Sequence, residues 1–245
     1  MAGHRAMLGS DPANKHEKGT SSMSDATLKP LTIDYYTDML CVWAWIAQRR
    51  IEELEAQWGD RIQLAHHCVN VFGDTMEKMN RQWSDRGGYD GFADHVQASA
   101  AAYETAPVHP DLWRKVRPST SATAHLMLKA AEITSSPTTA VSLAAAIRHG
   151  FFIDARDISQ LAVLMEIATE QGLDPDGLNE ALVSGRAMAA LLSDYSTSDA
   201  QGIKGSPSWV MNEGRQILYG NLGYRILHAN VEELLHHPEQ EASWC

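Results

Sequence analysis

The stretch LTIDYYTDMLCVWAWIAQRRIEELEAQW, residues Leu31–Trp58, decides the fold class. Leu31 to Tyr36 alternates and is rich in strand formers, and Val42 to Trp58 then carries Ile46, Ala47, Ile51, Leu54 and Trp58 at helical spacing. A strand therefore runs into a helix, with Cys41 at the junction. Gly59-Asp60 stops the helix, and Arg61 to Phe72 (RIQLAHHCVNVF) reads as a second strand ending at Gly73-Asp74. Two strands joined by a helix of this length are expected to pair in parallel with a right-handed crossover, which places an α/β sheet at the start of the ordered chain.

Working outward, residues 75–200 lose strand character, and Ala, Leu and Met dominate helical segments at Ala122–Ile133, Thr138–His149, Ile158–Glu170 and Gly185–Ala200. In the third of these Ile158, Leu161, Ala162, Met165 and Ala168 keep a helical rhythm, with Asp157 acidic at its start and Gly172 past its end. Such apolar stripes are core, not cofactor sites. Strand signals return at Ser208–Met211 and Gln216–Tyr219, joined by Asn212-Glu213-Gly214 as a hairpin, and a helix over about Tyr224–His236 follows. The order is β-α-β, a helical block, then β-β-α. Residues 30–74 and 201–236 form one discontinuous α/β domain, 75–200 a helical insertion, and 237–245 a polar tail.

With 245 residues and 44% hydrophobic content, the chain can bury a globular core. Its net charge of −11 argues against nucleic-acid or anionic-membrane partners, which need a basic surface. No apolar run is long enough to span a membrane. Residues 1–29 lack the apolar core of a secretory signal, so they are expected to be a disordered tail, or residues of cloning origin or an upstream start, on a cytoplasmic protein. The 3 cysteines, Cys41, Cys68 and Cys245, are too few and too scattered for a disulfide framework or a four-ligand zinc site. No metal site is expected, and no tightly bound cofactor.

Cys41 can carry chemistry because a helix N-terminus presents unpaired N–H groups and partial positive charge, which favour thiolate over thiol. Its expected pKa therefore lies well below that of a free cysteine. The alternative is an inert buried thiol. A second feature is Gly202-Ile203-Lys204-Gly205-Ser206-Pro207-Ser208-Trp209-Val210, a proline at the head of the third strand in a turn where a cis Ser206–Pro207 bond fits.

Together these features resemble the DsbA-like branch of the thioredoxin superfamily, which includes FrnE-type oxidoreductases, kappa-class glutathione transferases and 2-hydroxychromene-2-carboxylate isomerases. The resemblance spans most of residues 31–235. It rests on Cys41 at the strand–helix junction, on Gly205 to Val210 where the family has its cis-proline loop, and on Phe152-Ile153-Asp154-Ala155-Arg156-Asp157-Ile158. It implies a thioredoxin fold, β-α-β and β-β-α, interrupted by a large all-helical insertion. The FrnE-like Cys-Pro-Trp-Cys-Tyr-Ile-Gly is similar to Cys41-Val42-Trp43-Ala44-Trp45-Ile46-Ala47. Val42 stands where the family has proline and Ala44 where it has its resolving cysteine, so the motif's internal disulfide cannot form. In the kappa-like members a Ser or Cys at this helix start faces the sulfur of glutathione, and the cis-proline loop pairs its backbone with the tripeptide. Cys41 and Ser206 match those positions. Asn221 matches a residue holding the γ-glutamyl end, whereas Leu222 replaces the acidic residue beside it.

The resemblance assigns Cys41 as nucleophile and Trp43, Ala44, Trp45, Ser206, Pro207 and Asn221 as substrate-binding residues. Cys68, near the end of the second strand, is an accessory candidate for a resolving thiol, although a small core residue is the simpler reading. His66 and His67 adjoin on one strand and point to opposite faces; one of them is a candidate to approach Cys41 and hold its proton. His109 lies on an insertion loop expected to overhang the cysteine, and Trp113 is a candidate wall of a hydrophobic cleft. Three functions follow. The first is thiol–disulfide exchange or isomerisation through the single thiol Cys41, with glutathione as a co-substrate and small thiols or protein disulfides as partners. The second is a glutathione-dependent transferase or isomerase of a small aromatic substrate, for which a homodimer is expected. The third is a non-catalytic binding module.

Overall fold

The computed structural model describes residues 29–239; the expected tail, Lys29 apart, and Cys245 lie outside them. Strand β1 (Leu31–Thr37) leads into helix α1 (Val42–Trp58) and strand β2 (Ile62–Cys68). Helices α2 (Thr75–Gln82), α3 (Gly88–Ala100), α4 (Ala122–Thr134), α5 (Pro137–Phe152), α6 (Leu161–Glu170), α7 (Pro175–Val183) and α8 (Arg186–Ala200) follow. Strands β3 (Ser208–Met211) and β4 (Gln216–Tyr219) and helix α9 (Tyr224–His236) complete the chain. The sheet runs β2-β1-β3-β4, with β1 parallel to β2 and antiparallel to β3, and β3 antiparallel to β4. This is the thioredoxin-type sheet, β-α-β closed by β-β-α, with helices between the halves.

Two expectations need correction. Strand β2 ends at Cys68 instead of continuing to Phe72. The Val69 N–H still reaches the Thr37 carbonyl, but those of Val71 and Phe72 turn away to the Asp38 carboxylate at 3.0 and 2.8 Å. A side chain outcompetes the ladder there. Helix α6 starts at Leu161, not Ile158, because Asp157 accepts from the Ser159 N–H and hydroxyl and holds Ile158 in a turn. The phase differs as well: Leu164, Ile167 and Ala168 are buried and Leu161 is exposed.

Helices α1 and α9 cover one sheet face, where Ile51, Leu54, Leu227 and Val231 pack with Ile33, Tyr35, Trp209 and Met211. A fully buried side chain of this size contributes about 1.5–3 kcal/mol. The opposite face of α1 joins a second core: Cys41, Val42, Ala44 and Trp45 pack among Phe72, Phe92, Trp113, Leu143 and Phe152 of the helical segments. The first helix is thus shared between sheet and helical layer, and its N-terminus lies where the two meet.

Candidate active site

Cys41 is the N-cap of α1, with extended backbone, and the Ala44 and Trp45 N–H groups both close on its carbonyl at 3.1 Å. The thiol donates to the Ser206 carbonyl at 3.2 Å, and the Ser206 hydroxyl accepts from the Asp38 N–H at 2.9 Å. The Ser206–Pro207 peptide is cis. The Ser208 hydroxyl donates to the Gly205 carbonyl at 2.9 Å, and Gly220 N–H to the Pro207 carbonyl at 2.8 Å. The loop before β3 is therefore anchored on three sides, and its 206 carbonyl is aimed at the sulfur.

The expected acidic thiol is corrected. Cys41 is only 6% exposed, and burial pushes the thiol above its ordinary value; the Ser206 side chain and the N–H groups of Ala44 and Trp43 pull it down, while the Asp38 charge adds to the rise. Desolvation outweighs the helix terminus. Lys78 on α2 is a cation in this field: its ammonium lies 4.7 Å from the Phe72 ring centre. Burial lowers its pKa, opposed by the charges of Asp38 and Cys41.

Asp38, fully buried, organises the approach to the cysteine. Its Oδ1 accepts from the Leu40 N–H at 3.0 Å, and its Oδ2 from Val71, Phe72 and the Ser121 hydroxyl at 3.0, 2.8 and 2.8 Å. One carboxylate thus ties the β1–α1 turn to the segment after β2 and to the start of α4. His125 stands beside it, accepting from the Met39 N–H at 3.3 Å and meeting the Tyr195 hydroxyl at 2.8 Å. Neither Asp38 nor His125 is marked by any local pattern, since the partners lie up to 86 residues away.

The family model of the DSBA-like thioredoxin domain matches residues 32–232, a span containing this cysteine, the proline loop and the helices between. The chain belongs to the DSBA-like thioredoxin family. A curated relative, the ClpXP adapter protein SpxH of Halalkalibacterium halodurans, is 24% identical over 84% of this chain and 68% of its own. Among solved structures, the cytosolic disulfide reductase DsbM of Pseudomonas aeruginosa superposes with a TM-score of 0.63, at 18% identity over 82% of this chain and 99% of that one. A 2-hydroxychromene-2-carboxylate isomerase gives 0.62 at 15% identity, over 86% of this chain and all of its own (100%).

In this DSBA-like chain the accessory candidates separate into two groups. His66 and His67 do face opposite ways, and neither is hydrogen-bonded to the thiol, so their expected role in holding its proton is corrected. His66 Nε2 lies 2.7 Å from the Thr37 hydroxyl and 3.2 Å from Arg148 Nη2. Burial first, then the Arg148 charge, drives its pKa well down, so the ring is neutral. His67 bridges Asp194 and Asp34, each at 3.1 Å, and their bonds and charges outweigh burial to raise its pKa to about 9. Cys68 is free and fully buried, its thiol pushed well above its ordinary value by desolvation. A resolving cysteine needs thiolate character, which this environment opposes.

The aromatic candidates are corrected too. Trp113 is fully buried, T-stacked on Phe92 and Phe151, and walls no cleft. Trp45 stacks on Phe152 at 5.5 Å and donates to the Pro107 carbonyl at 3.0 Å. Its edge borders a groove of about 370 Å³ shared with Gln48, Arg49 and His149. Ala44 is fully buried and offers no contact surface to a ligand, while Trp43 is half-buried against the larger core. His109 closes its own turn, accepting from the Asp111 N–H at 3.2 Å. Asn221 is already engaged by Arg50 at 2.6 Å and by the Tyr103 hydroxyl at 2.7 Å. A cavity of about 330 Å³, lined by Asn70, Tyr195, Ser198 and Lys204 among others, flanks the loop that ends at Ser206.

Proposed function

We propose that this protein is a thiol–disulfide oxidoreductase or isomerase that works through Cys41 alone, with glutathione as co-substrate, in the cytoplasm. The observation that carries the reading is the Cys41 sulfur at a helix N-cap, held against the carbonyl before Pro207, with alanine at position 44. The thiolate attacks one sulfur of a disulfide R–S–S–R′, forming the mixed disulfide Cys41–S–S–R and expelling R′–S⁻. A glutathione thiolate then attacks the R sulfur, giving R–S–S–glutathione and returning the Cys41 thiolate, so no second cysteine of the chain is consumed. The Ser206 carbonyl accepts the thiol proton's hydrogen bond in the resting state, and the Ala44 and Trp43 N–H groups stabilise the thiolate once it forms. DsbM, whose fold this chain shares, has also been solved with glutathione, which supports the choice of co-substrate.

Alanine at position 44 and the adapter named among the relatives also support a second reading, a binding module in which the thiol is silent. Incubation with oxidised glutathione followed by peptide mass mapping separates the two. Modification at Cys41 supports monothiol exchange; an untouched Cys41 at pH 9 overturns it in favour of the binder. A Cys41–Cys68 bond would restore a dithiol mechanism.

A further inference from the structure

We infer that the cavity between the end of β2, the last turns of α8 and the loop before Pro207 binds an α-amino-acid group, an ammonium and a carboxylate on one carbon. It encloses about 330 Å³, toward the small end of ligand pockets, which run from about 300 to 1,000 Å³. Buried Val69 and Ile203 supply its apolar wall, and its polar groups carry both signs of charge. The Lys204 ammonium and the Asp199 carboxylate both line it, yet they do not pair with each other, and neither side chain has an ion pair or hydrogen bond among the described residues. Two opposite charges that face one small space without closing on each other are complementary to a ligand that carries both.

Tyr195 adds a hydrogen-bond donor to the same wall. His125 Nε2 lies 3.3 Å from the Met39 N–H, which can only donate, so Nε2 accepts. Burial holds the pKa of this ring below its ordinary value, so it is neutral and its one hydrogen sits on Nδ1. Nδ1 therefore donates to the Tyr195 oxygen at 2.8 Å. The tyrosine's own hydrogen is left without an acceptor among the described residues, and burial raises its pKa, so it stays on the oxygen. The ligand carboxylate accepts from this hydroxyl and from Lys204, with the Asn70 amide on the same wall. The ligand ammonium donates to Asp199 and to the Ser198 oxygen, whose hydrogen is already given to the Tyr195 carbonyl at 2.9 Å. Three walls lead on to the cysteine. Lys204 lies two residues before Ser206, whose carbonyl takes the Cys41 thiol; Asn70 precedes Val71, whose N–H binds Asp38; and Tyr195 reaches the Met39 N–H through His125. A free amino acid carries this head group, and so does the γ-glutamyl end of glutathione; in the second case the site extends the exchange reading, and in the first it stands without it.

The test is calorimetric titration of the full chain carrying Cys41→Ser, which forms no mixed disulfide there, with reduced glutathione, N-acetylglutathione, glutamate and glutarate at neutral pH. Glutathione, glutamate or both are expected to bind, and the acetylated or deaminated counterpart of each to bind about 10-fold more weakly. Lys204→Met and Asp199→Asn, both at exposed positions, are each expected to weaken binding by about the same 10-fold factor. Binding of glutamate identifies a free amino acid as an occupant, and binding of glutathione alone identifies a peptide thiol; either supports the site. Absence of binding by both at millimolar concentration, equal affinity for the acetylated and deaminated probes, or affinities unmoved by Lys204→Met and Asp199→Asn overturns the inference. Glutathione binding that ignores both substitutions, in a protein whose Cys41 exchanges, sinks this site and keeps the glutathione-linked reading. Glutamate binding lost in Lys204→Met, in a protein whose Cys41 is inert toward oxidised glutathione, does the reverse.

Discussion

Lys129 and Arg148 are both buried cations beside strand β2, and they are held in opposite ways. Lys129 Nζ meets Asp194 at 2.7 Å and Glu132 at 2.9 Å, and those carboxylates, with Cys68, carry its pKa upward against the cost of burial. Arg148 has neutral partners only, and burial carries its pKa downward. The first arrangement joins α4, α8 and β2, since Asp194 also takes the Cys68 N–H at 2.8 Å and His67 at 3.1 Å. The second joins α5 to the end of β1 and to α1 through hydrogen bonds alone. A compensated buried charge repays its desolvation through its ion pairs, whereas an uncompensated one is held by hydrogen bonds to neutral groups alone.

The contrast breaks most visibly at Asp194. Asp194→Ala leaves Lys129 with Glu132 as its one carboxylate and removes the acceptor of the Cys68 N–H and a partner of His67, and is expected to cost roughly 2–4 kcal/mol in urea unfolding; a loss under about 1 kcal/mol would mean that the pair is not what holds α8. Next comes His67. Its folded pKa of about 9 exceeds the ordinary 6.5, so the stability it contributes is fully present below pH 6.5 and is lost as pH rises through 9. The His67→Gln protein should lack that part of the decline, a difference on the order of 2 kcal/mol after allowing for partial solvent exposure. Subtracting the two pH curves removes the alkaline losses that buried Cys41 and Cys68 share with both. Arg148→Met should fall within about 1 kcal/mol of the parent in the same unfolding assay, because removing an unpaired buried ion offsets its lost hydrogen bonds. Smallest is Asn221→Ala, where an exposed side chain releases the half-buried Arg50 and Tyr103; about 0.5 kcal/mol and an unaltered Cys41 alkylation profile are expected.

What could be read from the sequence follows the range of the interactions. The β1–α1 junction, the loop ending in Pro207 and the Asn212-Glu213-Gly214 turn are local patterns, and each names its element within a few residues. Helix α6 shows where local pattern fails. In Leu161-Ala162-Val163-Leu164-Met165 apolar side chains point all round, so periodicity leaves the buried face open, and packing chose Leu164 over Leu161. The candidate site was legible only in its cysteine and its loop. Arg148 sits in an alanine-rich helix and reaches Thr37 across 111 residues, and Asp38 meets Ser121 across 83. The charge state of Cys41 depends on what covers it, and the covering residues come from elsewhere in the chain.

The reach of those contacts also sets an order in time. The carbonyl that receives the Cys41 thiol belongs to a residue 165 positions later, and the Ser121 hydroxyl that completes the Asp38 cluster 83 positions after that aspartate. On a ribosome adding roughly 5–20 residues per second, the cysteine waits on the order of ten seconds for its cover to be synthesised. Throughout that interval it is an ordinary open thiol, easier to oxidise or to derivatise than it will be in the finished fold. The nascent chain, not the mature protein, is therefore the form most exposed to the surrounding redox balance.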